Sequence, residues 1–209
     1  MKIEGRTSNY EVMKHNMADV FLQYDQEKMI RTFGLGHDEQ YLYICFLARQ
    51  YRINRLNGRV SWSEDDFQTE EEADYNVVMT LYDVLCSPKA ACALSHEWVN
   101  VGSLCAVKGG TLEKGNDFFQ HAGNEFDGKT QALARACEAL QGKKKGRGDV
   151  SYELPLFPFL PILLCFWDSD EEFSASLQIF VDKNTLDYMH YETLMFAVSH
   201  VLGRIKDEM

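Results

Sequence analysis

The chain of 209 residues carries 32 acidic against 21 basic side chains, a net charge of −11 and an isoelectric point near 5.0. A field of that sign repels nucleic acid and anionic membrane surfaces. With 45% hydrophobic and 25% charged residues, the composition is that of a globular protein. The longest apolar run, residues 154–167, falls short of the roughly 18 residues of a membrane span, and Pro155, Pro158 and Pro161 interrupt it. The opening MKIEGRTSNYEV lacks the apolar core of a signal peptide. A cytoplasmic protein is expected, with no nucleic acid and no membrane among its partners. A small molecule or a second protein remains.

In chain order, Tyr10, Met13, Met17, Phe21 and Tyr24 fall at helical spacing and predict a core-facing stripe. Asp25 reads as the N-cap of a short second helix with Met29, Ile30 and Phe33, closed by Gly34. From Tyr41 the period changes to two: Leu42, Ile44 and Phe46 alternate with Tyr41, Tyr43 and Cys45. Tyr51-Arg52-Ile53 and the Asn57-Gly58 turn signal complete a small antiparallel unit. Residues 63–74 hold Glu64, Asp65, Asp66, Glu70, Glu71, Glu72 and Asp74 without a base, a pattern suited to the positive end of a helix dipole. The helix expected next, over residues 73–86, places Val77, Val78, Leu81, Val84 and Leu85 on one face.

Residues 87–115, with Gly109 and Gly110, read as irregular, followed by helices over 116–126 and 129–140. The cluster Lys143-Lys144-Lys145-Gly146-Arg147 reads as a solvated loop, or more sharply as a flexible clamp over a phosphate. Strands are expected over 150–154, 162–167 and 177–181, and a last helix buries Leu194, Val198, Val201, Leu202 and Ile205, with His190, His200 and Arg204 at its margin. Runs of helices and runs of strands, without strict alternation, indicate an α+β fold. One mainly antiparallel sheet packed against several helices is expected, as a single unit over residues 1–209 with parts at about 9–62, 73–141 and 148–206.

Few residues carry chemistry. Cys45, Cys86, Cys92, Cys105, Cys137 and Cys165 form no C-x-x-C pair, which excludes a zinc ribbon or ferredoxin-type cluster. His96-Glu97 lacks the second histidine of a zinc-protease motif, since Asn100 stands there. His190 and His200 are ten residues apart, about 15 Å along a helix, too far to share one ion. The strongest cluster is Asp168, Asp170, Glu171 and Glu172 between two apolar strands, flanked by Trp167 and Phe173. Carboxylates beside aromatic surface suit general acid–base work, with His190 as a helper, and Trp167 and Phe173 suit a ligand or cofactor wall. Clustered carboxylates also suit Mg²⁺ or Ca²⁺, but the run lacks the glycine and the closing glutamate of an EF-hand loop, and no metal site is assigned. A solvated acidic turn is the plain structural reading.

Asn9-Tyr10 opening a helix, Gly148-Asp149 leading into a strand, Pro158 and Pro161, Asp170-Glu171-Glu172-Phe173, Phe180-x-Asp182 and Glu192 together resemble the family catalogued as domain of unknown function 3786. The resemblance covers nearly the whole chain. Members usually carry Gly before the acids and Pro after the Phe, where this chain has Ser169 and Ser174. The resemblance implies an anaerobic bacterial or archaeal setting, close to redox or corrinoid chemistry, because some relatives carry an added iron–sulfur module. It supplies no catalytic residues and no named cofactor. Three readings follow: a small-molecule or cofactor-binding accessory protein of anaerobic metabolism, with a pocket near the acidic connection; a carboxylate-based or metal-assisted enzyme; and a protein-interaction module.

Overall fold

The computed structural model describes residues 9–89, 92–104 and 112–209. Two helices open it, α1 (Asn9–Phe21) and α2 (Gln26–Phe33). Asp25 caps α2 as predicted: its carboxylate accepts from the Lys28 N–H at 3.0 Å, and Gly34 ends the helix. The α1 stripe is only partly covered. Phe21 is fully buried and Met17 packs on the core, whereas Tyr10, Met13 and Tyr24 are exposed. The all-core expectation fails because α1 lies on the molecule's flank, where only one side of the helix meets the third helix, α3 (Tyr75–Cys86).

Five strands form the first sheet: β1 (Gly36–His37), β2 (Tyr41–Phe46), β3 (Arg49–Asn54), β4 (Val60–Trp62) and β5 (Glu71–Glu72), paired in that order and antiparallel throughout. β2 alternates as expected, with Leu42, Ile44 and Phe46 buried. The Asn57-Gly58 signal marks the β3–β4 turn. Gly58 has φ +73°, and a Cβ there would stand 3.0 Å from the Cβ of Ala18, so both the backbone and the approach of α1 demand glycine.

The acids of residues 63–74 mostly do not serve a helix dipole. Only Asp74 caps α3, accepting from the Val77 N–H at 3.0 Å. Glu64 pairs with Arg49 at 3.2 Å, Glu70 with Arg52 at 2.7 Å and Glu72 with Lys14 at 3.1 Å, so the run neutralises bases on the first sheet and α1. Asp65 accepts from Ser63 and Thr69, which holds its carboxyl at about 2.

The rest of the chain comprises β6 (Trp98–Asn100), α4 (Leu112–Phe126), α5 (Thr130–Ala139), β7 (Lys143–Lys144), β8 (Val150–Phe157), β9 (Leu160–Trp167), β10 (Ser176–Asp182) and α6 (Tyr191–Asp207). Its strands form a second antiparallel sheet in the order β6-β10-β9-β8-β7. The fold is α+β as expected, but with two five-stranded sheets in place of one. Alternation marks a strand's faces and not its partner, so the sequence pattern could not separate the sheets. Lys143 and Lys144 are no loop: they pair opposite Glu153 and Tyr152, and exposed lysines on an edge strand discourage further pairing. The region expected to be irregular contains β6 and the start of α4; Cys105, Gly109 and Gly110 lie outside the described residues.

The sheets meet where the Leu47 N–H donates to the Leu156 carbonyl at 2.9 Å and Phe46 stacks on Phe157 at 4.7 Å. α3 packs on α6, α4 on β10 and α5 on β8. A continuous core runs from Phe21 and Ile53 through Leu81 and Val201 to Leu154, Leu164 and Ile179. His200 and Arg204, expected at the margin of α6, are buried. Among the described residues, no helix is long and apolar enough to cross a membrane.

Candidate functional site

The acidic connection between β9 and β10 stands in solvent. Asp168 is half-buried, and Asp170, Glu171, Glu172 and Phe173 are exposed, Phe173 at 69%. Asp170 Oδ1 accepts from the N–H groups of Glu172 and Phe173, both at 2.8 Å, while its own N–H donates to the Phe173 carbonyl at 3.0 Å. Asp168 accepts from the Gly128 N–H at 2.7 Å, and the Ser169 N–H donates to Asp127 at 3.1 Å, clipping the turn to the end of α4. These carboxylates hold backbone, as Asp does in turns. Trp167 and Phe173 have different surroundings, since Trp167 packs on Leu163, Cys165 and Phe180. Among the described residues, no group of three or more His, Cys, Asp or Glu side chains gathers to hold a metal ion.

Two further signature segments are built in the same manner. At Gly148, φ is +72° and a Cβ would fall 2.6 Å from the Phe166 carbonyl oxygen, so only glycine admits the turn into β8. Asp149 then accepts from the Asp168 N–H at 2.8 Å. Asp182 is 3% exposed and accepts from the N–H groups of Ser95, His96 and Asn184 at 2.9, 2.7 and 2.8 Å, and from the Ser95 hydroxyl at 3.0 Å. Burial pushes its carboxyl up, but these donors outweigh it and hold the group below its ordinary range. His96-Glu97 is thereby a pinned loop.

His190 is the N-cap residue of α6, and Glu192 lies in the first turn. Its partner is Asp83 of α3, which sequence reasoning passed over; a lone acid inside the apolar run YNVVMTLYDVLC was the available signal. Asp83 accepts from the His190 N–H at one oxygen and contacts ring Nδ1 with the other, each at 2.7 Å. The ring is oriented yet 68% exposed. Beside it a cavity of about 100 Å³ is lined by Asp83, Cys86, Ser87 and Thr193. At about 30 Å³ per water, it holds a few waters and no metabolite. Burial pushes the Cys86 thiol to about 12, so it presents no thiolate near neutral pH.

A larger cleft, about 370 Å³, opens between α1, the β3–β4 turn, β5 and α3. Ala18, Val60, Val78 and Tyr82 give it apolar surface, Glu11, Lys14, Arg59 and Glu72 give it charge, and His15 stands at its edge. Lys14 Nζ stands 3.0 Å from Glu11 and 3.1 Å from Glu72, and donates to the Ala73 carbonyl at 3.3 Å. Arg59 meets the other oxygen of Glu72 at 3.3 Å. Burial works against the Lys14 charge, but the two carboxylates outweigh it and raise its pKa. The Tyr82 hydroxyl donates to the Gly58 carbonyl at 2.6 Å, joining α3 to the turn below α1. No contiguous motif announces this cleft, because its residues come from four separate segments.

The family model described as a domain of unknown function (DUF3786) matches residues 25–204. No curated protein and no solved structure matches the chain. Asp83, the acidic connection, Asp182 and His190 lie inside the matched span, whereas α1 precedes it. From α2 through most of α6, the chain belongs to the DUF3786 family.

Proposed function

We propose that this chain is a small-molecule-binding protein, accessory to the anaerobic metabolism that the family resemblance implies, and that its ligand occupies the cleft beneath α1. One observation carries the reading: a concavity of about 370 Å³ whose apolar floor is edged by charges of both signs. That size lies within the roughly 300–1,000 Å³ of small-molecule sites. The acidic connection offers less, because its aspartates are engaged by backbone N–H groups. Lys14 and Arg59 suit a carboxylate, Glu11 and Glu72 suit an amine, and Val60 and Val78 suit the carbon chain between them. The ligand class is therefore a small zwitterion such as an amino acid. A thermal-shift panel of amino acids, simple amines and simple carboxylates tests this. Zwitterions should raise the melting midpoint more than either half-molecule; a panel without any concentration-dependent shift would overturn the reading.

A second reading, acid–base catalysis, is favoured by the Asp83–His190 pair, an imidazole oriented by a carboxylate. The imidazole is 68% exposed, which suits a substrate that approaches from solvent. The test is whether Asp83→Asn abolishes turnover of such a substrate while Asp170→Asn and Glu171→Gln leave it intact.

A further inference from the structure

Arg204 of α6 is 7% exposed, yet among the described residues its guanidinium has a single acceptor, Glu208 at 3.0 Å. Its Nε and Nη1 are buried without a hydrogen-bond partner among the described residues. An unsatisfied guanidinium in the interior is costly, so something beyond the chain's own side chains should answer it. The neighbouring groups supply no negative charge: Tyr51 of β3 and His200, one turn back on α6, each feel the charges of both Arg204 and Arg49, and Arg49 hydrogen-bonds to Tyr51. The Tyr51 hydroxyl is 3.4 Å from His200 Nε2, and Phe46 stacks on the imidazole at 4.8 Å. Arg49 lies 3.6 Å over the Trp62 ring, its side chain only 18% exposed.

The carboxylates near this cluster are in contact with water. Glu208 is 36% exposed, Asp74 63% and Glu64 75%, Asp207 is exposed as well, and solvent screens charges so placed. A buried water would satisfy the Arg204 Nε and Nη1 N–H groups but add no negative charge beside two largely buried guanidinium groups, each met by one solvent-exposed carboxylate. We propose that Arg204, Arg49 and Tyr51 form a site for a small anion, either a free inorganic ion or the carboxylate of a metabolite. The site is independent of the cleft beneath α1, since none of its residues lines that cleft.

The test exchanges a bulky sulfonate for bromide, phosphate or acetate at constant ionic strength and follows the melting midpoint. A saturable rise is expected in the wild-type protein, with half-saturation at least tenfold higher in Arg49→Met and no saturable rise in Arg204→Met. Saturation by acetate alone identifies a carboxylate site, and saturation by bromide or phosphate identifies an inorganic one. Equal, unsaturated rises in all three proteins would overturn the proposal. If Arg204→Met does not fold, a wild-type crystal grown in bromide decides. An anomalous peak beside Arg204 Nε and Nη1 supports the site, and ordinary water density there with no anomalous signal refutes it.

Discussion

The acidic connection at residues 168–172 and the cleft beneath α1 are both rich in carboxylates, but they use them in opposite ways. In the connection, Asp168 and Asp170 accept from backbone N–H groups of their own turn and of Gly128. In the cleft, carboxylates meet charged side chains: Glu11 faces Lys14 one turn along α1, and Glu72 faces Lys14 and Arg59 from two other segments. A ligand can displace a side chain from an ion pair more readily than it can unmake a turn. Asp168 and Asp170 of the crowded acids hold backbone, whereas the ligand chemistry proposed for the cleft draws on scattered residues.

The largest expected effect falls on the backbone-holding class. Asp182→Ala leaves four donors of the 95–96 and 184 segments without their acceptor and should cost about 3 kcal/mol. Urea unfolding should show this as a displaced midpoint. The sign of the pH effect follows from its depressed carboxyl. Asp182 contributes stability above its unfolded value near 3.8, and the contribution is lost as pH falls through the lower folded value.

His200 should produce a loss at higher pH. Burial lowers its pKa from 6.5 to about 4, so the unfolded chain takes up a proton that the folded chain refuses. Stability should be unaffected above pH 6.5 and fall between 6.5 and 4, by on the order of 3 kcal/mol. His200→Phe should flatten that interval in a series of unfolding curves while leaving the Asp182 interval in place.

Gly58→Ala sharpens the cleft side of the comparison. Its φ of +73° and the 3.0 Å approach to Ala18 oppose a methyl group, and a loss of about 2 kcal/mol is expected, with faster amide exchange in α1. The smallest effect belongs to the acidic turn. Asp170→Ala removes two exposed acceptor contacts and should cost under about 1 kcal/mol, without altering ligand-induced thermal shifts. A large loss of ligand response there would reverse the contrast between the regions.

What the sequence revealed follows the range of each interaction. The alternation of β2, the cap at Asp25 and the apolar arc of α6 depend on neighbours a few residues away, so they were readable. β1, β5 and β7 are two residues long, too short for any period to register. The division into two sheets depends on strand partners, which alternation does not encode. His190 stands out in the sequence, but Asp83, 107 residues earlier, is what orients it. Asp168 and Asp170 were visible as a cluster, while their commitment to backbone depends on turn geometry that composition does not specify.

The central claim is tested most directly by two-dimensional NMR with the amino acid giving the largest thermal shift. Resonances of Val60, Val78 and Tyr82 should move saturably in the wild-type protein, and Arg59→Met and Glu72→Gln should each weaken the titration about tenfold or more. Shifts confined to the 168–173 turn or the His190 environment, or no saturable shift at the cleft, would contradict the assignment.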